Sequence, residues 1–411
     1  KEGHDITIVD KNRERISQVS NIYDVMGIAG NGASYKILQE AGIDDADLII
    51  AVTGSDELNL LCCTIATQVG NCAAIARVRT PEYSQEAKYL RDKLGLALII
   101  NPELEAAIEM AHILHLPSSL EVTNFAHGQA QLIKYEIPEG SILDGTKLMD
   151  LGTRHHANIL IGAVERDDEV TIPSGDFVLR KGDKLSFVGE RRHTKEFFSH
   201  IGVNTHSVKN TLIIGGGKAA YYLAKQLISR GIKVKIIENS FERCEELSIL
   251  LPDAVIINGD GTEQALLKEE GIETCQSFVP LTGIDEENIM LTLYAKQVSN
   301  AKVITKLNRI TFTNVINSLD LGSVISPKYI TSEAIIAYVR AKKNSMNCNI
   351  ETLYHMYDSR VEAIEFFVSE NSNVTDIPLR DLKLKKHLLI CFINRNGKII
   401  IPTGNDCIQK N

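Results

Sequence analysis

The sequence contains an internal repeat, and this repeat constrains the possible fold more than any other feature. The segment 4–10 is matched later in the chain by the segment 232–238. A second segment, 53–59, is matched in the same way by 282–288. Because the separation of the matched segments stays nearly constant along the first part of the chain, we interpret the chain as a tandem duplication with one fold in each copy.

The second copy alternates short apolar segments with helical ones. We predict strands at 211–214, 233–237, 254–257, 277–281 and 303–307, with helices between them. Strands that alternate with helices in this way form βαβ units on a parallel sheet. The sequence therefore predicts an α/β fold in which each copy contains a Rossmann-like lobe with a doubly wound parallel sheet.

A different pattern follows each Rossmann-like lobe. In copy one, strands without long helices between them are predicted at 121–125, 130–136, 158–166, 177–179 and 184–188. This is typical of a small β-rich α+β lobe, and a second such lobe begins near residue 349. We therefore predict four parts, which we call the first Rossmann-like lobe, the first β-rich lobe, the second Rossmann-like lobe and the second β-rich lobe, at residues 1–117, 118–205, 206–345 and 346–411.

The two copies do not begin and end at equivalent positions. The counterparts in copy one of the first strand and the glycine turn of copy two would fall before residue 1. The second β-rich lobe also stops short of the last strand predicted for the first. We therefore expect the chain to be a fragment of a longer protein.

Composition excludes several classes of protein. Forty-four basic residues against 53 acidic ones give a net charge of −9, which argues against nucleic acid as a partner. The apolar runs are shorter than the roughly 18–20 residues that a membrane-spanning helix needs, so a link to a membrane requires a partner. Eight cysteines without a C-x-x-C motif indicate reduced thiols packed as small hydrophobic groups in a cytosolic protein.

A glycine-rich turn follows the first strand of copy two and opens a helix. The turn runs through Gly215, Gly216, Gly217, Lys218, Ala219 and Ala220, which fits the dinucleotide-binding pattern G-x-G-x-x-G/A. Gly215 permits the tight turn, Gly217 lets the backbone approach a pyrophosphate, and Ala220 allows close packing of helix and strand. Backbone N–H groups at the start of the helix attract phosphates.

An acidic residue ends the second strand of this pattern. Glu238 follows Gly217 at the spacing typical of dinucleotide-binding folds, where its carboxylate can accept hydrogen bonds from ribose hydroxyls, and Asp10 is its counterpart in copy one. A carboxylate there repels a 2′-phosphate, so NADP is disfavoured, whereas NAD(H), ADP and ATP stay open. A doubly wound sheet with a degenerate, empty site is the alternative.

Further candidate residues lie at the ends of the fourth and fifth strands. Thr53-Gly54 and Thr282-Gly283 end the fourth strands, where ligands of such sheets bind. Arg77 and Lys306 lie on the fifth strands and need a counterion, either a bound phosphate or a neighbouring acid.

Other polar residues receive simpler interpretations. Asn59 and Asn288 are expected to belong to the capping region of the next helix. His112 and His115 stand three apart on a helix and could share a metal ion, but no third ligand is evident, which favours exposed or interface histidines. No nucleophile with an adjacent base is present, so we predict neither catalytic residues nor a metal site.

The duplicated set of motifs resembles the TrkA family, the cytosolic regulatory subunits of bacterial and archaeal Trk potassium uptake systems. The resemblance covers the whole chain as two RCK units, each with a nucleotide-binding lobe followed by a β-rich lobe. It implies NAD(H) contacts at Asp10, Thr53, Gly54 and Arg77 in copy one, and at Gly215, Gly216, Gly217, Lys218, Ala219, Glu238, Thr282, Gly283 and Lys306 in copy two. The glycine turn of copy one is missing, and Lys306 stands where the family has an arginine-like cation.

The resemblance also implies a function. RCK proteins form rings, here expected to be a homotetramer, at the cytoplasmic face of the membrane, and nucleotide binding changes the angle between their lobes. The implied partner is an integral-membrane potassium-translocating subunit of the Trk type. The alternative is a nicotinamide-dependent oxidoreductase, but the β-rich lobes offer no acid or base to face a nicotinamide.

Overall fold

The computed structural model describes residues 3–116, 118–154, 158–309, 316, 319–343, 349–357, 359–368, 372 and 374–410. The chain divides into two compact units, Lys1–Leu104 and Glu105–Asn411. Among the described residues, no helix combines the length and the apolar character needed to cross a membrane.

The first unit alternates strands and helices, as the sequence predicts. Its elements are β1 (Thr7–Asp10), α1 (Arg13–Tyr23), β2 (Met26–Ala29), α2 (Tyr35–Glu40), β3 (Leu48–Ala51), α3 (Asp56–Val69), β4 (Ala73–Arg77), α4 (Pro81–Gln85), α5 (Ala87–Leu94) and β5 (Leu98–Ile100). Helix α6 (Pro102–His115) begins where this unit ends.

The first β-rich lobe is built on an antiparallel sheet with the order β6-β7-β10-β8-β9. Its elements are β6 (Glu121–Phe125), β7 (Ala130–Glu136), α7 (Leu148–Arg154), β8 (Leu160–Arg166), β9 (Glu169–Thr171), β10 (Lys184–Glu190) and α8 (Arg191–His200). The prediction of a strand at 177–179 is wrong, because Val178 forms only an isolated bridge with Lys147.

The second Rossmann-like lobe alternates strands and helices as the first unit does, and its strands form a larger sheet. Its elements are β11 (Asn210–Ile214), α9 (Lys218–Ile228), β12 (Lys233–Glu238), α10 (Phe241–Leu250), β13 (Val255–Asn258), α11 (Gln264–Glu269), β14 (Ser277–Pro280), α12 (Asp285–Val298), β15 (Lys302–Lys306), β16 (Ser323–Ile325) and α13 (Pro327–Lys343). The five predicted strands are present to within one residue at either end, and β16 extends the sheet beyond them.

The parallel sheet of the second Rossmann-like lobe has the strand order β13-β12-β11-β14-β15-β16. Residues 211–214 of β11 and all four residues of β14 are buried, which is typical of parallel strands covered on both faces. Ala220 of α9 is fully buried, as the close packing of helix and strand requires. The predicted α/β class is thus confirmed.

The first unit contains the corresponding strands in two separate parallel sheets, β1-β2 and β3-β4-β5. β1 and β3 correspond to β12 and β14 of copy two, which both pair with β11. Among the described residues of the first unit, no strand takes the place of β11 between β1 and β3.

The second β-rich lobe packs against the first. Its strands are β17 (Asn349–Met356), β18 (Val361–Phe367), β19 (Ile393–Arg395) and β20 (Lys398–Ile400). Met356, Tyr357 and Ile399 belong to the same buried apolar cluster as Phe125 and Leu132 of the first β-rich lobe. A polar contact adds to this cluster, since the Tyr357 hydroxyl lies 2.7 Å from the hydroxyl of a serine on β10. The two β-rich lobes therefore share one core.

The described cysteines are free thiols. Cys62, Cys63, Cys72 and Cys244 are buried, and burial raises the pKa of Cys63 to about 12. Cys348 lies outside the described residues. For the described cysteines, the prediction of reduced thiols packed as small hydrophobic groups agrees with these environments.

Candidate nucleotide-binding site

The glycine turn of copy two passes close to the end of β14. Gly215 has a φ of +94°, which side-chain-bearing residues rarely adopt. A Cβ at this position would lie 3.1 Å from the Leu281 carbonyl oxygen and 3.3 Å from the Thr282 Cα. Both the backbone conformation and the close approach therefore require glycine, as the sequence pattern predicts for its first position.

The Glu238 carboxylate lies directly beside this turn. The Gly216 N–H donates to Glu238 Oε2 at 2.6 Å, and the Ser240 N–H donates to Oε1 at 2.8 Å. Arg243 Nε donates to the Gly216 carbonyl oxygen at 2.7 Å and holds the turn from the other side. Each carboxylate oxygen has more than one lone pair, so Glu238 can still accept a hydrogen bond from a ribose hydroxyl.

Space for a phosphate lies at the start of α9. Gly217 is the N-cap of this eleven-residue helix and has no side chain that could accept from its first N–H groups. A Cβ on Gly217 would have no atom within 4 Å, so the backbone is open on this side. Helix N-termini with this arrangement favour the binding of anions.

The predicted residue Thr282 is held by an asparagine that the sequence interpretation placed in a capping region. The Thr282 N–H donates to Asn288 Oδ1 at 3.0 Å, and Asn288 Nδ2 donates to the Lys306 carbonyl oxygen at 3.0 Å. Asn288 is fully buried and joins the ends of β14 and β15. Asn288 lies in the first turn of α12, whose N-cap is Ile284, so its place in the capping region is as expected, but its side chain joins two strand ends instead of capping the helix.

Copy one has the same arrangement, in which a buried asparagine bridges the threonine N–H and the carbonyl oxygen at the end of the next strand; we call this arrangement the asparagine clamp. The Thr53 N–H donates to Asn59 Oδ1 at 2.7 Å, and Asn59 Nδ2 donates to the Arg77 carbonyl oxygen at 2.9 Å. Asn59 is fully buried, and α3 has Ser55 as its N-cap. Asn59 thus also lies in the first turn of its helix, as expected, but its side chain joins strand ends instead of capping the helix.

Sequence reasoning missed the role of a neighbouring aspartate. Asp285 is 7% exposed, and its carboxylate accepts from the N–H groups of Asn308 and Arg309, each at 2.8 Å. In copy one, Asp56 accepts from the Thr80 N–H at 2.8 Å. A sequence pattern could have revealed this role, because in both copies an aspartate stands three positions after the threonine that follows the fourth strand. These aspartates fix the loop that follows the fifth strand.

The two predicted cations contact backbone carbonyls at the strand ends. Arg77 Nη2 donates to the Thr53 carbonyl oxygen at 2.6 Å, and Lys306 Nζ donates to the Leu281 carbonyl oxygen at 3.2 Å. Within the described part of the chain, no carboxylate pairs with Arg77, so the interpretation as an ion pair with an acid is wrong there. Burial, followed by the nearby Arg79, lowers the Arg77 pKa, and the buried Arg77 Nε has no hydrogen-bond partner.

Asp10 of copy one ends β1 of the two-stranded sheet, whereas Arg77 ends β4 of the three-stranded sheet and Thr53 lies in the loop after β3. The Asp10 side chain is 30% exposed, and Oδ1 accepts from the Asn12 N–H at 2.8 Å. Asp10 Oδ2 lies 3.4 Å from Arg15 Nη1. The structure therefore brings together Thr53, the glycine that follows it (Gly54) and Arg77, whereas the contacts of Asp10 are with Asn12 and Arg15.

The predicted positions of copy two form a more complete group. Gly215 approaches Thr282, Gly216 contacts Glu238, and Lys306 reaches the residue before Thr282. Gly283, like Gly217, would have no atom within 4 Å of an added Cβ. Lys218 and Ala219 open α9 directly after the turn.

The two histidines of α6 are not exposed, so that part of their interpretation is wrong. His112 and His115 are partly buried and line a pocket with residues of α8. Among the described residues, no group of three or more histidines, cysteines or acids is arranged to hold a metal ion.

Comparison with known proteins agrees with this architecture. A family model described as the TrkA-N domain matches residues 1–102 and 211–327, and one described as the TrkA-C domain matches residues 132–202. Trk system potassium uptake protein TrkA homolog 1 of Methanosarcina mazei is 33% identical over 415 residues, covering 99% of this chain and 90% of that protein. TrkA of Halomonas elongata is 30% identical over 413 residues, covering 100% and 89%.

Solved structures show the same fold. The GsuK channel has a TM-score of 0.66 at 18% identity, covering 100% of this chain and 71% of that one. The GsuK channel bound to NAD has a TM-score of 0.64 at 17% identity, with the same coverage of both chains.

Fold and sequence together define a protein with duplicated Rossmann-type lobes, each accompanied by a β-rich lobe. The chain belongs to the TrkA family of Trk system potassium uptake proteins. The resemblance predicted from the motifs is thereby confirmed, and with it the assignment to potassium uptake. The comparisons do not favour the alternative of an oxidoreductase.

Proposed function

We propose that the chain is a cytoplasmic regulatory subunit that binds an adenine nucleotide and thereby gates an integral-membrane potassium-translocating subunit of the Trk type. NAD(H) is the first candidate ligand, and ADP and ATP are the others. The observation that carries the proposal is the contact between the Gly216 N–H and the Glu238 carboxylate, beside the open start of α9. Ribose and phosphate recognition groups thus lie next to one another.

In copy two, we assign the phosphates to the turn formed by Gly215, Gly216, Gly217, Lys218 and Ala219, and the ribose to Glu238. Thr282, Gly283 and Lys306 border the same site from the ends of β14 and β15. In copy one, Thr53, Gly54 and Arg77 would contact a nucleotide, with the guanidinium of Arg77 as the cation for a phosphate. Asp10 would take the ribose there.

Regulation requires that the nucleotide prefer one conformation of the assembly. We propose a homo-oligomeric ring, expected to be a tetramer, of chains with the four-part organisation 1–117, 118–205, 206–345 and 346–411, at the inner face of the membrane. A ligand shifts such an equilibrium only by its difference in affinity for the two states. With two sites in every chain, a preference of about 1 kcal/mol per site would add up to a large shift.

Calorimetry on the whole chain tests the proposal. We expect NADH, NAD, ADP or ATP to bind, and the Glu238→Ala variant to lose at least about tenfold in affinity at the copy-two site, because a charge-assisted hydrogen bond to ribose is removed. NADPH should bind wild type more weakly than NADH, and this difference should shrink in the variant. Glu245→Ala, which removes an exposed carboxylate from α10, is the matched control. Absence of binding by all five nucleotides would contradict the proposal.

The oxidoreductase alternative has its own test. We expect no change in the absorbance of NADH at its reduced-nicotinamide band when the chain is incubated with NADH and small carbonyl compounds. We expect this because the sequence contains no nucleophile with an adjacent base, and the β-rich lobes offer no acid or base to face a nicotinamide. Steady NADH oxidation that depends on Glu238 would instead support the alternative.

A further inference from the structure

An exposed aromatic side chain stands at the start of α10, the helix that follows the acidic end of β12. Phe241 is the first residue of this helix, and its side chain is 63% exposed. Single exposed apolar residues are common on protein surfaces, so this exposure alone indicates nothing. What indicates a role is the position of Phe241 relative to Glu238 and to the ends of two strands.

The backbone before Phe241 is held by the carboxylate that we assign to the ribose. The Ser240 N–H donates to Glu238 Oε1 at 2.8 Å. Ser240 is also the N-cap of α10, since its hydroxyl accepts from the Arg243 N–H at 3.3 Å. Phe241 follows Ser240 directly, so its aromatic ring is attached to the short segment that would border a bound ribose.

The side chain of Phe241 extends past the carboxyl ends of β12 and β13. Cys244, which stands three residues later in α10, has its Sγ 3.4 Å from the Glu238 carbonyl oxygen and 3.9 Å from that of Ile257. Glu238 ends β12, and Ile257 is the next-to-last residue of β13. Residues three apart lie on one side of a helix, and helical side chains lean toward its start. Phe241 therefore overhangs the strand ends, where such sheets bind their ligands.

Copy one has the same local arrangement with a different planar group. The Asn12 N–H donates to Asp10 Oδ1 at 2.8 Å, and Asn12 is the N-cap of α1. Arg13 then stands in the position that Phe241 has in copy two, and it is exposed as well. Aromatic rings and guanidinium planes both stack on nucleobases. The two copies thus share a flat group beside the acid.

We propose that Phe241 stacks on the adenine base of a nucleotide bound in copy two. This inference rests on the proposed function and adds a group for the base to those for the ribose and the phosphates. The base is attached to the carbon next to the one that bears the 2′-hydroxyl, so a ribose held by Glu238 brings its base close to Phe241. Stacking needs only the flat face of a base, so Phe241 would favour nucleotides over ribose phosphates that lack one.

The fluorescence of a Phe241→Trp variant tests this proposal on the whole chain, because the sequence contains no tryptophan of its own. We expect ADP or NAD, whichever binds more tightly by calorimetry, to quench this fluorescence, and ribose 5-phosphate to leave it unchanged. Ile249→Trp is the matched control, because Ile249 lies on the same helix and is 81% exposed but stands at its other end. The nucleotide should not quench the fluorescence of the control.

Calorimetry with the same nucleotide separates the stacking from the proposed function. Phe241→Ala should weaken binding at the copy-two site at least about fivefold, whereas Phe241→Tyr should stay within about twofold of wild type. Because the side chain is exposed, both changes spare the core.

An affinity that Glu238→Ala lowers but Phe241→Ala leaves within about twofold of wild type would overturn the stacking and leave the proposed function in place. Unchanged fluorescence of Phe241→Trp at saturating nucleotide would do the same. An altered oligomeric state of Phe241→Ala with unaltered affinity would assign the residue to a contact between chains and also overturn the stacking. Absence of nucleotide binding to wild type would overturn both proposals.

Discussion

Replacing Gly215 by alanine is expected to destabilise the second Rossmann-like lobe and to abolish nucleotide binding there. The residue has a φ of +94°, and an added Cβ would press on the backbone of Leu281 and Thr282. The strained conformation and the enforced displacement together should cost about 2–3 kcal/mol of unfolding free energy. Denaturant unfolding and calorimetry on the same variant measure the two effects.

Gly217→Ala is the informative counterpart of this change. An added Cβ there has no atom within 4 Å, and the φ of −66° suits alanine, so stability should change by less than about 1 kcal/mol. The methyl group would occupy the space assigned to a phosphate, and nucleotide affinity should fall at least tenfold. A Gly217→Ala variant with the affinity of wild type would contradict the placement of the phosphates.

Replacing Asn288 by alanine should cause a comparably large loss of stability. Its fully buried amide accepts from the Thr282 N–H and hydroxyl at 3.0 and 2.9 Å, and donates to the Lys306 carbonyl oxygen. Truncation would leave buried backbone groups without partners, at a cost of about 2–4 kcal/mol in unfolding free energy. Chemical denaturation monitored by circular dichroism gives the measurement.

Gln297→Ala provides the matched control for Asn288, because it removes an exposed amide from the same helix, α12. Its unfolding free energy should stay within about 0.5 kcal/mol of wild type. Equal stabilities of the Asn288→Ala and Gln297→Ala variants would show that the clamp between β14 and β15 contributes nothing measurable.

The parts predicted best from the sequence are those that local pattern determines. The glycine turn and Glu238 follow rules of spacing along one βαβ unit, and the structure brings them within 2.6 Å of each other. The strands of copy two were found because fully buried parallel strands form continuous apolar runs bounded by turns.

The parts that were missed depend on contacts distant in sequence. Asn288 looks like a residue of the capping region until the neighbouring strand end supplies its second partner, the Lys306 carbonyl oxygen. The short segment around Val178 has a strand-like composition, but it finds only Lys147 as a bridge partner. The pocket beside His112 was also missed. Its other lining residues include residues of α8, and the whole first β-rich sheet lies between α6 and α8 in the sequence.

The shared core of the two β-rich lobes has a consequence for how such proteins can evolve. Because both lobes belong to one chain, their pairing does not depend on protein concentration, unlike that of two separate subunits, which dilution would separate. Each copy is then encoded separately and can change without altering the other. Arg77 and Lys306, which stand at equivalent positions, illustrate such a divergence. A duplicated chain can therefore carry two sites of different affinity within a single molecule.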